Sequence, residues 1–187
     1  VNVKPLRPEF GVVVNDVTEF KYSIEIPRCR QGTTANRTLF IGIISATNYF
    51  EEREDIRGTW LRHLNDPHYH RQLIDVVGYG FILGQTSNET IQSKIEEEGK
   101  KYGDILQVEM VDSYHNLTRK VVATLNWVNN NCPHVDFVMK IDDDGYVNVH
   151  NLANVLDNLS PNETSIYAKQ VDDQRDVDRK TRNVFYY

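Results

Sequence analysis

Three adjacent carboxylates, Asp142, Asp143 and Asp144, directly follow the largely apolar run 135–141. Such a run is typical of a buried strand in a parallel sheet, which would deliver the three acids to the edge of the sheet. Adjacent carboxylates repel one another and are costly to desolvate, so they need a cation or contact with solvent. Mg²⁺ or Mn²⁺ bridging to a phosphorylated ligand meets that need, because these ions bind one or two carboxylates together with phosphate oxygens. Taken alone, the three acids fit a solvated acidic turn equally well.

Two arginines, Arg53 and Arg57, are candidates for binding an anion. They lie one turn apart on a predicted helix that follows the first strand, so both guanidinium groups would lie on one face near the edge of the sheet. Paired guanidinium groups suit a diphosphate or a nucleotide base. Lys120 and Lys140 are further cation candidates. The competing interpretation is an exposed helix face on which the arginines pair with Glu54 and neighbouring acids.

Apolar runs alternate along the chain with amphipathic segments, which predicts an α/β fold with a mostly parallel sheet covered on both faces. The predicted strands are 39–45, 74–83, 105–111 and 135–141, with a further strand at 166–171. The predicted helices are 48–65, 86–102, 117–131 and 149–159. Asn48 with Glu51 fits a capping box at the start of the first helix.

Separate segments bring polar side chains to one edge of the predicted sheet. Ligands of parallel sheets bind outside the carboxyl ends of the strands. Ser45, Asp112 and the three aspartates each follow such an end. The sequence therefore predicts a single site there.

The N-terminal residues 1–38 contain three prolines and no sustained hydrophobic period. This pattern indicates an extended arm leading into a domain of residues 39–187. With 187 residues, 40% of them hydrophobic, the chain fits one α/β domain with an ordinary core. A formal net charge of -6 without a basic block argues against a nucleic-acid-binding protein.

Five Asn-x-Ser/Thr triplets point to a compartment, since chance predicts about two. They begin at Asn36, Asn88, Asn116, Asn158 and Asn162. The excess favours a lumenal or secreted protein. Asn116 opens a predicted helix beside the site, so we expect it to be unmodified, whereas we expect the other four to be accessible. In such a compartment Cys29 and Cys132 would form one disulfide, and two free cysteines are the open alternative.

The order of several short motifs is more specific than any one of them. They are Glu52-Arg53, 56–60, 81–84, 97–98, 102–105, 112–120, Trp127, Cys132-Pro133 and 137–144 with Val147 and Asn148. In this succession the sequence, from about Leu39 to its end, resembles the β-1,3-galactosyltransferase and β-1,3-N-acetylglucosaminyltransferase family of the animal Golgi.

The resemblance implies a GT-A fold, which is Rossmann-like and binds nucleotide sugars. It also implies a type II membrane protein of the Golgi lumen, whose stem and anchor lie upstream of Val1. The implied reaction is an inverting transfer from UDP-galactose or UDP-N-acetylglucosamine to a hydroxyl of a glycan acceptor, giving a β-1,3 linkage. Mn²⁺ at the aspartates would neutralise charge on the departing UDP.

The resemblance also implies roles for residues. Asp142 and Asp143 would approach the ribose and the metal, while Asp144 would bind Mn²⁺ and the donor diphosphate. The expected metal ligands are thus Asp142 and Asp144. The residues expected to bind the donor nucleotide, with Lys120 added for its charge, are Ser45, Arg53, Arg57, Asp112, Lys120, Asp142 and Asp143.

Two features depart from the family pattern. Gly145 and Tyr146 replace a bulkier apolar residue and a phenylalanine, which would loosen the turn. The family also continues past Tyr187 with an acceptor-binding half, whose Glu-Asp-Val type motif supplies the expected general base, and nothing here matches it. We therefore expect a copy with an incomplete C-terminal half and a base downstream of Tyr187. A non-catalytic remnant that binds nucleotide sugars is the open alternative.

Overall fold

The computed structural model describes residues 19–32, 37–66, 68, 73–160 and 165–167. The strands are β1 (Tyr22–Ile24), β2 (Arg37–Ile44), β3 (Ile74–Gln85), β4 (Ile105–Val111) and β5 (Phe137–Asp142). The helices are α1 (Phe50–Gly58), α2 (Trp60–Leu64), α3 (Glu89–Tyr102), α4 (Leu117–Asn131) and α5 (Val149–Asp157), with a short 3-10 helix at Tyr114–Asn116. Within these residues, no helix is both long and apolar enough to span a bilayer.

The strands form one sheet in the order β1-β4-β3-β2-β5. β2 pairs in parallel with β3 and with β5, and β3 pairs in parallel with β4. Only β1, among the described strands, runs antiparallel to its neighbour. The α/β class with a mostly parallel sheet is therefore confirmed, and the carboxyl ends of β2, β3, β4 and β5 lie along one edge.

The central strand β2 is apolar on both faces because helices cover both sides of the sheet. Leu39, Ile41 and Ile43 pack in one core with α1, α2, α3 and α5. Phe40 and Ile44 pack on the opposite face, against α4. A continuous apolar run, rather than an alternating one, is what burial on both faces requires.

The strand β1 lies within the predicted arm, where no strand was expected. Tyr22 pairs with Val108 of β4, and its hydroxyl donates to the backbone oxygen of Ala123 in α4, 2.8 Å away. Cys29 and Cys132 form a disulfide that ties the same segment to the end of α4. A three-residue strand is too short to show a period, which explains why it was missed. The domain boundary at residue 38 stays a prediction.

The predicted helix 48–65 was wrong in two respects. It begins at Phe50 after Tyr49, without a side-chain cap, so the capping box at Asn48 does not form. It also breaks at Thr59, which leaves helical geometry (φ -112°, ψ -112°) and separates α1 from α2. Gly58 has a low helix propensity, and the Thr59 hydroxyl bonds to the backbone oxygen of Asp55 at 2.6 Å; both favour the break.

Other helix and strand boundaries differ from the predicted ones by a few residues. Helix α3 begins at Glu89 rather than 86, because the Asn88 side chain caps it by accepting from Ile91 N. Ile166 and Tyr167 carry no strand assignment, and the rest of the predicted strand 166–171 lies outside the described residues.

Candidate functional site

A cavity of about 670 Å³ opens where β2, β4 and β5 end, within the size range of small-molecule sites. Its lining includes six of the predicted site residues, namely Ser45, Asp112, Lys120, Asp142, Asp143 and Asp144. Lys140, the other cation candidate, also lines it. Arg53 and Arg57 are not among the lining residues. The fold thus brings together residues from segments that are far apart in sequence.

Lys120 ties two strand ends together from helix α4. Its Nζ donates to the backbone oxygen of Ser45, 2.8 Å away at the end of β2, and lies 2.8 Å from Asp112 Oδ1 after β4. The Lys120 side chain is 2% exposed, so its charge is desolvated and depends on these partners. The ammonium group therefore fixes the wall of the cavity and places positive charge beneath it.

Asp112 is held on both sides. Its Oδ2 accepts from the backbone N–H of Gly84 at 3.0 Å, while Oδ1 faces Lys120. A Cβ on Gly84 would lie 2.7 Å from Cα and N of Asp112. The ends of β3 and β4 can approach this closely only because residue 84 has no side chain.

The three aspartates differ in their surroundings. Asp142 pairs with Lys140, with Oδ2 and Nζ 2.6 Å apart, and both side chains are about half exposed (52% and 47%). Asp144 is exposed. Asp143 is held more firmly, since its backbone N–H donates to the oxygen of Ile44 at 3.1 Å.

The carboxyl group of Asp143 is only partly stabilised by its surroundings. Burial raises its pKa above the ordinary value, and the neighbouring charge of Asp144 adds to the effect. Hydrogen bonds from the Ser45 side chain and from the amides of Ala46 and Asp143 lower the pKa without cancelling the rise. Its buried Oδ2 has no hydrogen-bond partner within the described part of the chain. A cation in the cavity would offset this charge.

The three aspartates offer carboxylate oxygens as metal ligands, and such oxygens suit Mg²⁺ or Mn²⁺. Within the described residues, no group of three or more His, Cys, Asp or Glu side chains is already arranged around a metal position. An ion that takes one or two protein carboxylates and completes its shell with phosphate and water needs no such group. The residues therefore fit a metal that binds together with a phosphorylated ligand.

Arg53 lies behind the cavity rather than in it. Its side chain is fully buried, with Nε and Nη2 bound to the Glu98 carboxylate in α3. Its Nη1 donates to Ser45 Oγ at 3.1 Å and to the backbone oxygen of Ala46 at 2.7 Å. Arg53 therefore holds the segment after β2 from its buried side.

Arg57 binds acids further from the cavity. Its Nε and Nη2 lie 2.8 Å from the two carboxylate oxygens of Asp104, just before β4. Its Nη2 also donates to Glu98 at 2.8 Å, and its guanidinium carbon lies 4.0 Å from the ring centroid of Tyr102. The structure thus pairs both arginines with acids, as the competing interpretation had it, although in a buried network. Nucleotide binding by either arginine stays a prediction.

Several residues of the cavity and of the arginine network behind it were not predicted from the sequence. Glu98 joins the two arginines, and nothing in its local sequence distinguishes it from Glu97. Tyr49, Ser113, Tyr114, Leu117, Thr118 and Val121 also line the cavity. Ser113 and Tyr114 could have been predicted, because they directly follow the end of β4, as Asp112 does.

Comparison with known proteins gives an independent result. The family model described as galactosyltransferase matches residues 51–187. The chain is 36% identical over 138 residues to β-1,3-galactosyltransferase 2 of Homo sapiens, covering 73% of this chain and 31% of that protein. It is 31% identical over 156 residues to the lactosylceramide 1,3-N-acetyl-β-D-glucosaminyltransferase of Homo sapiens, covering 78% and 40%. The chain therefore spans roughly a third of the length of such relatives.

Proposed function

Because this chain belongs to the galactosyltransferase family, we propose that its cavity binds a UDP-sugar together with Mn²⁺. The main support for this proposal is that one cavity of about 670 Å³ is lined by Ser45, Asp112, Lys120 and the three aspartates. A cavity of that size with a few convergent polar groups is typical of a small-molecule site. The unpartnered, buried Oδ2 of Asp143 supports a cation there.

Residues of the chain take distinct parts in this proposal. Asp142 and Asp144 would hold Mn²⁺, which when bound would neutralise charge on the departing UDP. Lys120 and Asp112 fix the strand ends that border the nucleotide. Arg53 positions Ser45 and Ala46 from behind. Nucleotide binding by Arg57 requires it to exchange a buried acid for the ligand, so its part is the least direct.

The proposed reaction is the transfer of galactose or N-acetylglucosamine from the UDP donor to a glycan acceptor in a β-1,3 linkage. It rests on the names of the relatives, which are a β-1,3-galactosyltransferase and a 1,3-N-acetylglucosaminyltransferase. We place the protein in the Golgi lumen as a type II membrane protein. The excess of Asn-x-Ser/Thr triplets and the paired cysteines support an oxidising lumenal compartment.

A second candidate is donor binding without transfer. Two of the four carboxylates that line the cavity are already paired with lysines, namely Asp112 with Lys120 and Asp142 with Lys140. A general base typically contributes 10²–10⁴-fold, so a site without one would bind the donor and transfer little.

A radiolabelled transfer assay separates the two candidates. UDP-galactose and UDP-N-acetylglucosamine are each offered with simple glycan acceptors and Mn²⁺, with Asp144→Ala as the matched inactive variant. Product that depends on Asp144 supports the transferase. UDP binding with no product from either donor supports the second candidate, and absence of UDP binding contradicts both.

A further inference from the structure

The three described asparagines of Asn-x-Ser/Thr triplets differ in what their amide nitrogens do. Asn116 Nδ2 donates to the backbone oxygen of Val111 at 2.8 Å, and Asn158 Nδ2 donates to that of Asn154 at 2.7 Å. Asn88 uses the other end of its amide, since its Oδ1 accepts from Ile91 N at 3.1 Å. Its Nδ2 donates no hydrogen bond within the described part of the chain.

This difference matters because an N-linked glycan is attached through Nδ2. In the transfer, Nδ2 forms a bond to the anomeric carbon of a lipid-diphosphate-linked oligosaccharide. The bond from that carbon to the phosphate oxygen breaks, the lipid diphosphate leaves, and Nδ2 gives up one proton. Oδ1 is untouched, so the hydrogen bond that caps α3 survives the modification. At Asn116 and Asn158 the glycan would instead occupy a nitrogen that already donates a hydrogen bond to the backbone, and it would leave that nitrogen only one proton.

The surroundings separate Asn88 from Asn116, whereas Asn158 is exposed like Asn88 and differs from it only in the hydrogen bond of its Nδ2. Asn88 and Thr90, the two ends of its triplet, are both exposed, and neither lines the cavity. Asn116 is only partly exposed, and Thr118 of its triplet lines the cavity. A glycan at Asn116 would therefore crowd the donor site, whereas one at Asn88 extends into solvent.

We propose that Asn88 carries an N-linked glycan in the folded protein and that Asn116 and Asn158 do not. The proposal rests on the lumenal residence proposed above, because the oligosaccharide donor and its transferase are lumenal. It adds a covalent modification at the N-cap of α3, at a residue that does not line the cavity.

The test places the 187-residue chain behind a cleavable secretion signal in a eukaryotic host, so that lumenal exposure does not depend on the native location. Trypsin then separates the triplets, since peptide 72–94 holds Asn88 alone, 102–119 holds Asn116 alone, and 141–169 holds Asn158 and Asn162. Release with peptide-N-glycosidase in ¹⁸O-water marks each formerly glycosylated asparagine by mass, and fragmentation assigns it within a peptide.

Matched variants separate glycosylation from capping. Asn88→Asp keeps an oxygen that accepts from Ile91 N but removes Nδ2, and the enzymatically deglycosylated protein carries the same aspartate. Thr90→Ala destroys the triplet without touching the cap, whereas Thr90→Ser preserves it. We expect peptide 72–94 to be glycosylated in the wild type and in Thr90→Ser, and unmodified in Asn88→Asp and Thr90→Ala.

Secreted wild-type protein with unmodified peptide 72–94 overturns the proposal, as does a glycan at Asn116 or Asn158. Neither readout involves UDP, Mn²⁺ or an acceptor, so failure here leaves the proposed donor site untouched. Conversely, a donor site that fails leaves the glycan assignment standing.

Discussion

Arg53 and Glu98 form a buried ion pair directly behind the candidate site, with Nη2 and Oε2 2.7 Å apart and side chains 0% and 6% exposed. The pair links α1 to α3, and the remaining donors of Arg53 reach Ser45 and Ala46 at the cavity. A planar guanidinium with five donors can bind an acid and a loop at once. The position of the cavity wall therefore depends on a charge pair that solvent does not reach.

We expect Glu98→Ala to lower the free energy of unfolding by about 3–5 kcal/mol, because it leaves two arginines without their shared buried partner. The measurement is urea denaturation followed by circular dichroism. The adjacent, exposed Glu97 supplies the control, and Glu97→Ala should change the value by less than about 0.5 kcal/mol. Equal effects of the two variants would show that the pair is not buried as described.

Arg53→Lys tests the positioning of the cavity wall. Lysine keeps the charge but cannot bind Glu98 while also reaching Ser45 and Ala46. We expect UDP affinity to fall by about tenfold, or ~1.4 kcal/mol, in protein that circular dichroism shows to be folded. The exposed Arg62→Lys should bind UDP like the wild type. If folded Arg53→Lys bound UDP with unchanged affinity, Arg53 would not be needed to position the cavity wall.

Two glycine substitutions should act in opposite directions. Gly84→Ala forces a Cβ to within 2.7 Å of the Asp112 backbone, and such overpacking costs about 1–3 kcal/mol. Gly58→Ala meets no atom within 4 Å and replaces a helical glycine, so we expect a gain of about 0.5–1 kcal/mol. Thermal and urea denaturation give both values. Destabilisation by Gly58→Ala, or tolerance of Gly84→Ala, would contradict the described contacts.

Tyr22 predicts a pH dependence at the alkaline end. Burial, with the charge of Glu25, raises its pKa from 10.0 to about 12. The folded state thus holds the proton more tightly than the unfolded state. The stability it contributes is fully present below pH 10 and is lost as the pH rises toward about 12.

Tyr22→Phe should therefore flatten the loss of stability between pH 10 and 12, measured as the free energy of unfolding at several pH values. Tyr146, whose side chain is 72% exposed, provides the comparison, and Tyr146→Phe should keep the wild-type slope. An unchanged slope in Tyr22→Phe would mean that its hydroxyl is not held as described.

The sequence predicts those parts of the fold and the site that depend on a local pattern of residues. The apolar run 39–45 correctly predicts a strand buried on both faces, because that pattern is local. The positions of Ser45, Asp112 and the aspartates at one cavity are also predictable, because ligands of parallel sheets bind at the carboxyl ends of the strands. The partners of Arg53 were not predictable in the same way. Glu98 lies on another helix, and only the packing of α1 against α3 decides whether an arginine meets a ligand or an acid.

Weak local signals explain why the helix cap and the first strand were predicted wrongly. Asn48 fits a helix cap, yet the helix begins two residues later at Phe50, because cap chemistry is weak beside tertiary packing. The strand β1 has only three residues, and its pairing with β4 comes from contacts across more than eighty positions. No window of local sequence contains that information.

The most direct test of the central claim is calorimetric titration of UDP into the protein with Mn²⁺ and again with EDTA. The same titration on Asp144→Ala tests the proposed ligand, and Asp157→Ala, at an exposed acid of α5, is the control. We predict that UDP binds in the presence of Mn²⁺, and that EDTA or Asp144→Ala removes most of that affinity while Asp157→Ala leaves it unchanged. Equal UDP affinity with Mn²⁺ and with EDTA would contradict a metal-linked donor site at the aspartates.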